Sequence, residues 1–148
     1  MSADPLLAQT LDIVAEAASL LQQPWWIIGS TAAFLAGLNE PVADVDLLTS
    51  EADASRLLHS WGAEPQPPSP TPLFASTVFA RIALAPLPIE VMAGTRVRGE
   101  PLVPRTRVAV PWGDSRVYIP ALAEQIAILR GFGRDKDLRR AERLEAIL

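Results

Sequence analysis

Hydrophobic and polar positions along the chain predict a series of short helices and strands. Near the N-terminus, apolar residues recur at spacings of four, three, four and three, which is the pattern of one buried helix face. Asp4 is suited to cap this helix, Pro5 to occupy its first position and Pro24 to end it. The residues of the predicted buried face are Leu7, Leu11, Val14, Ala18 and Leu21.

Two continuous apolar runs follow, and both predict strands. The first run, Trp25 to Ile28, ends at Gly29, and the second extends from Val42 to Thr49. The segment between them, Ser30 to Leu38, is rich in alanine, which predicts a short helix that can approach a sheet closely.

The remaining pattern contains further helices, further strands and two irregular segments. The proline-rich segment Pro65 to Pro72 is interpreted as an exposed loop rather than a partner-docking site, and the basic segment Gly94 to Pro104 as irregular. The predicted strands are Phe74 to Leu84, Leu87 to Met92, and a hairpin of Arg107 to Val110 and Arg116 to Ile119. The predicted helices run from a cap at Thr49 or Ser50 to Trp61, from Pro120 to a stop at Gly131 and Gly133, and from Asp135 or its neighbour onward with Leu138, Ala141, Leu144 and Leu148 buried.

Composition limits the classes of function. A length of 148 residues predicts a single domain over residues 1–148, and 49% hydrophobic with 20% charged residues is typical of a soluble globular protein. The net charge of -4 argues against a nucleic-acid surface built on overall basicity. The absence of cysteine excludes disulfides, zinc–thiolate sites and thiol nucleophiles, and the lone His59 is interpreted as a surface or capping residue.

The same features bear on location and assembly. The N-terminal segment contains Asp4 and no basic run, so no secretory signal is expected, and no apolar run reaches membrane-spanning length. We therefore expect a cytoplasmic protein with no membrane partner. A mean hydropathy of +0.21 is compatible with a homodimer.

Two carboxylates inside the second apolar run are the main chemical signal. Asp44 and Asp46 would project from one face of a strand, while Val45 and Leu47 face the other way. Ionised carboxylates on one half-buried face repel each other and need a compensating cation, for which Mg²⁺ is suited. The alternative is an edge strand whose polar face lies in water.

Neighbouring residues favour the metal interpretation. Gly29 permits a sharp turn, and Ser30 opens a helix whose first backbone N–H groups can bind an anion. An anion-binding helix start beside two cation-binding carboxylates describes a metal–triphosphate site. A third acid, Glu90, is embedded between the apolar Ile89 and Val91 in a later strand.

The order of these motifs resembles the nucleotidyltransferase superfamily of the DNA polymerase β type. The matching residues are Ile28-Gly29-Ser30, thirteen intervening residues, Asp44-Val45-Asp46-Leu47 and Ile89-Glu90-Val91. The tail, Pro120 to Leu144, resembles small members found among antibiotic adenylyltransferases and in abortive-infection or toxin–antitoxin systems. Its shared core is Gly133-Arg134 followed by Lys136-Asp137-Leu138.

The resemblance implies an α/β (α+β) fold, with a short mixed β-sheet flanked by helices and with C-terminal helices. It also implies that a nucleoside monophosphate passes from a nucleoside triphosphate, with ATP favoured, to a hydroxyl, with Mg²⁺ as cofactor and pyrophosphate released. The acceptor, whether a small molecule, a protein or an RNA, and the base preference stay open. The implied catalytic and metal-binding residues are Asp44, Asp46 and Glu90, and the implied nucleotide-binding residues are Gly29, Ser30 and Lys136.

Several residues depart from the family pattern. Glu90 stands where most members have Asp, Leu129 where small members often have Lys, and Arg140 where an acid is common. These departures leave open a second interpretation, a catalytically inactive nucleotide-binding or protein-interaction module of the same fold, for example a toxin–antitoxin component. Lys136 would contact a phosphate or, equally, pair with a helix acid.

Other Asp-x-Asp proteins fit less well. A phosphatase of the haloacid-dehalogenase type normally places the motif in its first strand and follows it with Thr or Val, whereas Leu48 follows here and a Gly-Ser strand precedes. A sugar transferase with this motif would need a longer chain.

Overall fold

The computed structural model of the protein describes residues 4–148, and Met1 to Ala3, part of the segment expected to lack a secretory signal, lie outside that range. None of the helices in residues 4–148 is long and apolar enough to cross a membrane. The α-helices are α1 (Pro5–Ala17), α2 (Gly29–Leu35), α3 (Glu51–Ser60), α4 (Leu122–Phe132) and α5 (Asp135–Glu145). The strands are β1 (Trp26–Ile28), β2 (Val45–Thr49), β3 (Phe74–Ala75), β4 (Val78–Ile82), β5 (Ile89–Ala93), β6 (Arg96–Val97), β7 (Glu100–Pro101), β8 (Val108–Trp112) and β9 (Ser115–Ile119).

A four-stranded mixed sheet, in the order β1-β2-β5-β4, forms the centre of the fold. The outer strands β1 and β4 are antiparallel to their neighbours, whereas β2 and β5 are parallel. A parallel pair needs a long crossover connection, and here the crossover contains α3, β3 and β4. The predicted α/β (α+β) class with a short mixed sheet and C-terminal helices is confirmed.

The segment Gly94 to Pro104 is not irregular, contrary to the prediction. It contains β6 and β7, which pair with β3 in a small antiparallel sheet. Strands of two residues are too short to show a period of two in the sequence, which is why the pattern missed them. The predicted hairpin is present as β8 and β9.

Two predicted strands are shorter than their apolar runs. β2 begins at Val45 rather than Val42, because its parallel pairing with β5 begins at the Val45–Ile89 pair. Asp44 therefore lies just before the strand, not inside it. The predicted strand Phe74 to Leu84 is divided into β3 and β4, which belong to different sheets.

The apolar core consists of two clusters. The larger cluster joins α1 and α3 to the central sheet and includes Leu7, Leu11, Ile27, Leu47, Leu57 and Val91. The smaller cluster joins α2 to α4 and α5 and includes Ala33, Ile126, Leu129, Phe132, Ala141 and Leu144.

Two helices differ in length from their predictions. Asp4 caps α1 as expected by accepting a hydrogen bond from the N–H of Leu6 at 2.7 Å. The helix nevertheless ends at Ala17, and a 3-10 turn over Ala18–Leu20 follows it. α4 continues through Gly131 and ends at Gly133, whose φ of 75° forms a left-handed cap.

The buried face of α5 is rotated from the predicted one. Leu138 and Leu148 are 42% and 73% exposed, whereas Ala141 and Leu144 are buried as expected. The face begins instead at the buried Asp137, whose carboxylate is paired inside the protein and occupies the position that leucine would otherwise take. A satisfied ion pair therefore overrode the apolar periodicity.

Asp53 anchors the segment that leads into β1. Its buried carboxylate accepts hydrogen bonds from the backbone N–H groups of Gln22 (3.0 Å) and Gln23 (2.9 Å), and it pairs with Arg56 at 2.8 Å. Ser50 caps α3 as predicted by accepting a hydrogen bond from the N–H of Asp53. The carboxylate thus positions the strand that ends at the Gly29 turn.

We expect Asp53→Ala to lower the unfolding free energy by about 2–4 kcal/mol, because each backbone N–H left without an acceptor costs about 1–3 kcal/mol. Urea unfolding followed by circular dichroism measures the change. Asp114→Ala, at the exposed hairpin turn, is the control and should stay within about 0.5 kcal/mol of the wild type. An equal loss for the two variants would show that Asp53 is not an anchor.

Candidate functional site

A row of charged residues crosses three strands of the central sheet. Asp46 of β2 lies opposite Glu90 of β5, and Glu90 lies opposite Arg81 of β4. Residues that face each other on neighbouring strands project from the same side of the sheet. The Nη1 atom of Arg81 lies 2.7 Å from Oε1 of Glu90. The strand register therefore brings two acids and a guanidinium together.

Asp44 joins this row although it lies outside β2. The Oγ1 of buried Thr31 donates a hydrogen bond to the backbone oxygen of Asp44 at 2.8 Å, which ties this residue to α2. Asp44, Asp46 and Glu90 each offer a carboxylate oxygen, and these oxygens lie within 4.8 Å of one another. The three acids that the sequence singled out thus converge on one point.

Gly29 brings the start of α2 against the Asp46 carboxylate. Its φ of 71° lies in the left-handed region that favours glycine. A Cβ atom at this position would lie only 2.7 Å from Oδ2 of Asp46. The turn therefore requires glycine for its backbone conformation and also for the space. Ser30 follows in the first turn of α2.

Two of the three acids, Asp46 and Asp44, have raised pKa values. Burial, together with the neighbouring Glu90 and Asp44 carboxylates, raises the pKa of Asp46 to about 8. Burial and the Glu90 carboxylate also raise the pKa of Asp44, although nearby cationic side chains oppose the shift. Without a bound cation, Asp46 therefore holds a proton at neutral pH.

The residues present fit a hard divalent cation. Oδ1 of Asp46 is buried and has no hydrogen-bond partner within residues 4–148, which is costly unless a further group binds it. Carboxylate oxygens are the donors that Mg²⁺ prefers, at about 2.0–2.1 Å, so two ligands of one ion lie at most about 4.2 Å apart. Small side-chain rotations would bring oxygens that are within 4.8 Å of one another to that spacing.

A cavity of about 480 Å³ opens beside the acids. This volume lies in the range of ligand pockets, about 300–1,000 Å³. Its lining includes all six residues predicted for the site, namely Gly29, Ser30, Asp44, Asp46, Glu90 and Lys136. The lining also includes a set of large apolar side chains, namely Phe74, Phe79, Met92, Leu102, Leu129 and Phe132.

The turn between α4 and α5 carries the tail motif and borders the cavity. Arg134 donates from Nε and Nη2 to the carboxylate of Asp137 at 2.6 and 3.1 Å, and its guanidinium lies 5.0 Å from the ring centre of Phe74. The exposed Lys136 lines the cavity and forms no salt bridge with any residue from 4 to 148. The alternative pairing of Lys136 with a helix acid is therefore not seen over this range.

Several arginines near the site were not identified as site residues from the sequence. Arg140 and Arg143 each donate from Nε to the carboxylate of Glu40 at 2.7 Å, which ties the loop before β2 to α5. Burial raises the pKa of Glu40, but the two arginines outweigh it, so this pKa is lowered. Arg81 and Arg134 have partners that depend on strand register and on the α4–α5 turn. The pairing of Arg134 with Asp137 was indicated only by their joint presence in the shared core of the tail motif.

We expect Gly29→Ala to be more destabilising than Gly62→Ala. Both residues have positive φ values, 71° and 63°, so each substitution carries a left-handed backbone penalty of about 1–2 kcal/mol. Only the Gly29 substitution also places a Cβ against Asp46, since nothing lies within 4 Å of a Cβ at Gly62. Urea unfolding of the variants alone and combined with Asp46→Ala should show the excess cost disappear in the double variant. An excess that persists would contradict the contact.

We expect the stability of the metal-free protein to fall as pH rises between about 4 and about 8. The folded-state pKa of Asp46 is raised from 3.8 to about 8, so its contribution is present at low pH and is lost as pH rises through the folded-state value. Asp46→Asn mimics the protonated carboxyl and does not titrate. The unfolding free energy of Asp46→Asn should therefore increase relative to that of the wild type as pH rises, by at most about 1.4 kcal/mol per pH unit.

Urea unfolding in EDTA at pH 5, 6, 7, 8 and 9 measures this difference. Asp114→Asn, at the exposed hairpin turn, serves as the matched control and should follow the wild type throughout. A difference between wild type and Asp46→Asn that stays constant over the pH range would contradict the raised pKa.

Comparisons with known proteins concern the fold. No protein-family model matches the chain, and no curated protein matches it in sequence. The crystal structure of TM1012 from Thermotoga maritima, described as a "putative nucleotidyltransferase", has a TM-score of 0.79 at 17% identity, over 99% of this chain and 97% of that chain. The lincomycin-bound lincosamide antibiotic adenylyltransferase LnuA has a TM-score of 0.60 at 11% identity, over 99% and 98%. The chain therefore shares the fold of these two structures, in agreement with the nucleotidyltransferase-like fold implied by the order of its Gly-Ser, Asp-x-Asp, Glu90 and tail motifs.

Proposed function

We propose that the protein is a Mg²⁺-dependent nucleotidyltransferase, which transfers a nucleoside monophosphate from a nucleoside triphosphate to a hydroxyl group. ATP is the favoured donor. The observation that carries the proposal is the convergence of Asp44, Asp46 and Glu90 in the lining of a ligand-sized cavity. A fold shared with an adenylyltransferase supports the choice of a nucleotide as substrate.

The three acids would hold Mg²⁺, which when bound neutralises negative charge on the triphosphate and on the reacting oxygens. Asp44 and Asp46 would provide most of this binding, because their carboxylates flank the Gly29 turn where the phosphates would lie. The buried, unpartnered Oδ1 of Asp46 is the atom that gains most from a cation. Binding would require Asp46 to lose its proton, so metal affinity rises with pH up to about 8.

Ser30 and Lys136 would bind the phosphates from two sides of the cavity. Ser30 lies in the first turn of α2, and Lys136 is exposed with no salt-bridge partner within residues 4–148. The acceptor hydroxyl oxygen forms a bond to the α-phosphorus while the bond from that phosphorus to the β-phosphate oxygen breaks. Pyrophosphate leaves, and Glu90 accepts the hydroxyl proton. Such catalysis depends mainly on positioning and on charge neutralisation.

The apolar side chains that line the cavity suit a planar or hydrophobic portion of a substrate. Phe79 and Met92 are opposite each other two residues along the strands from the Arg81–Glu90 pair, so they project from the same face of the sheet. A nucleobase or the ring of an acceptor that contacts them would therefore lie about 7 Å along the strands from the acids. The acceptor class, whether small molecule, protein or RNA, is the main question that an experiment must answer.

A second candidate function is nucleotide binding without transfer, in a protein-interaction module such as a toxin–antitoxin component. The specific observation in its favour is the ion pair of Glu90 with Arg81 at 2.7 Å. A carboxylate whose oxygen is already held by a guanidinium is less available as a metal ligand than a free one.

We expect the protein to bind a nucleoside triphosphate only with Mg²⁺ and to transfer its α-phosphate to an acceptor. Calorimetric titration with ATP, CTP, GTP and UTP, each with and without Mg²⁺, measures the first step. Asp44→Asn should weaken the Mg²⁺-dependent affinity by about tenfold or more, and Asp114→Asn should leave it unchanged.

Incubation with ATP labelled at the α-phosphate, together with small-molecule, protein and RNA fractions of a cell extract, measures the second step. Label in one fraction, lost with Asp44→Asn, would establish transfer and reveal the acceptor class. Mg²⁺-dependent binding without label in any fraction would support the second candidate. No binding of any nucleotide would contradict both.

A further inference from the structure

Arg81 bridges two of the three acids of the site. Its Nη1 atom lies 2.7 Å from Oε1 of Glu90 and 3.7 Å from Oδ2 of Asp44. Arg81 lies in the same cross-strand row as Glu90 and Asp46, so the strand register places its guanidinium beside the acids. One positive charge of the protein therefore already lies between carboxylates that a divalent cation would use.

The Arg81 side chain can also leave this position. It is 48% exposed, and it belongs to β4, an outer strand of the central sheet. Within residues 4–148 it has no hydrogen-bond or salt-bridge partner other than Glu90 and Asp44. Arg134 is a useful contrast, because its guanidinium is bound by both Asp137 oxygens and lies near the Phe74 ring. Arg81 is held only by the acids and is open to solvent.

We propose that Arg81 is an internal cation that competes with a divalent metal ion for Glu90 and Asp44. The inference rests on the metal site of the proposed function, and it adds a residue that lowers the affinity of that site for the ion. A guanidinium and a divalent ion that bind the same carboxylates repel each other, so the guanidinium moves aside when the ion binds, and the apparent metal affinity is reduced accordingly. The released guanidinium is then free to donate hydrogen bonds to the oxygens of a bound triphosphate.

A functional consequence follows from this competition. A metal ion that binds alone displaces the Arg81 guanidinium and leaves it without a new partner. A metal–triphosphate complex supplies phosphate oxygens that can accept hydrogen bonds from this guanidinium. The site therefore favours the metal together with the nucleotide over the metal alone, and each ligand strengthens binding of the other by the same factor.

Binding of Mn²⁺ alone tests the competition, since the loss of free Mn²⁺ signal in electron paramagnetic resonance gives a dissociation constant. Arg81→Gln should bind Mn²⁺ about tenfold more tightly than the wild type, a ratio that corresponds to about 1.4 kcal/mol. Arg81→Lys, which retains the charge, should stay close to the wild type. Arg116→Gln, on the exposed hairpin, makes the same change in net charge away from the acids and should have little effect.

Arg81→Gln with an affinity equal to that of Arg116→Gln, or weaker than wild type, would overturn the proposal. The metal site itself is judged separately. Loss of Mn²⁺ binding in Asp44→Asn, with no gain in Arg81→Gln, would keep the site and reject the competition. Absence of Mn²⁺ binding in all variants would reject both.

A measurement on the wild-type protein removes any dependence on the folding of the variants. In nuclear magnetic resonance spectra, the guanidinium signals of Arg81 should shift and exchange faster with water when Mg²⁺ is added. The signals of Arg134, paired with Asp137 outside the acid cluster, should stay in place. Unchanged Arg81 signals at saturating Mg²⁺ would show that the ion pair persists and would overturn the proposal.

Discussion

The placement of Asp46 beside Glu90 on the parallel strands β2 and β5 is the constraint on which the site depends. With Asp44 nearby, three carboxylates share a partly buried volume, and they cannot all ionise there without opposite charge. Burial and the neighbouring carboxylates raise the pKa of Asp46, and the guanidinium of Arg81 lies beside Glu90 and Asp44. A proton and a guanidinium each reduce the same negative charge, so the loss of one increases the need for the other.

The structure around the acids holds their backbone in place from several sides. Thr31 fixes the backbone of Asp44 from α2, and Glu40 ties the preceding loop to two arginines of α5. Gly29 lets α2 begin against the carboxylates without a side chain in between. The cavity then separates this fixed floor from the α4–α5 turn, where Lys136 stands. Fixed acids that face a mobile basic side chain are a suitable arrangement for a charged, flexible ligand.

The departures from the family pattern have physical explanations in the fold. Leu129 packs in the smaller core cluster and lines the cavity. A lysine at this position would be buried among apolar groups. Arg140 serves to bind Glu40 rather than to replace an acid at the metal site. Glu90, one methylene longer than aspartate, reaches Arg81 on the neighbouring strand. The three changes thus belong to different parts of the structure and need not share one functional meaning.

Local patterns were enough to predict the caps of α1 and α3 and the hairpin and to single out the three acids, because these depend on residues close in sequence. The mixed α/β class followed instead from the resemblance of the ordered motifs to the nucleotidyltransferase superfamily. The partners of those acids could not be read in this way. Arg81 meets Glu90 through a strand register, and β6 and β7 pair with β3 through contacts distant in sequence. Leu138 is exposed because Asp137, which is paired with Arg134, lies on the buried face of α5 instead. The sequence by itself therefore determined which residue types are present for the chemistry. The tertiary structure decided how their charges are balanced, because electrostatic energy depends on distances in space rather than on separation in sequence.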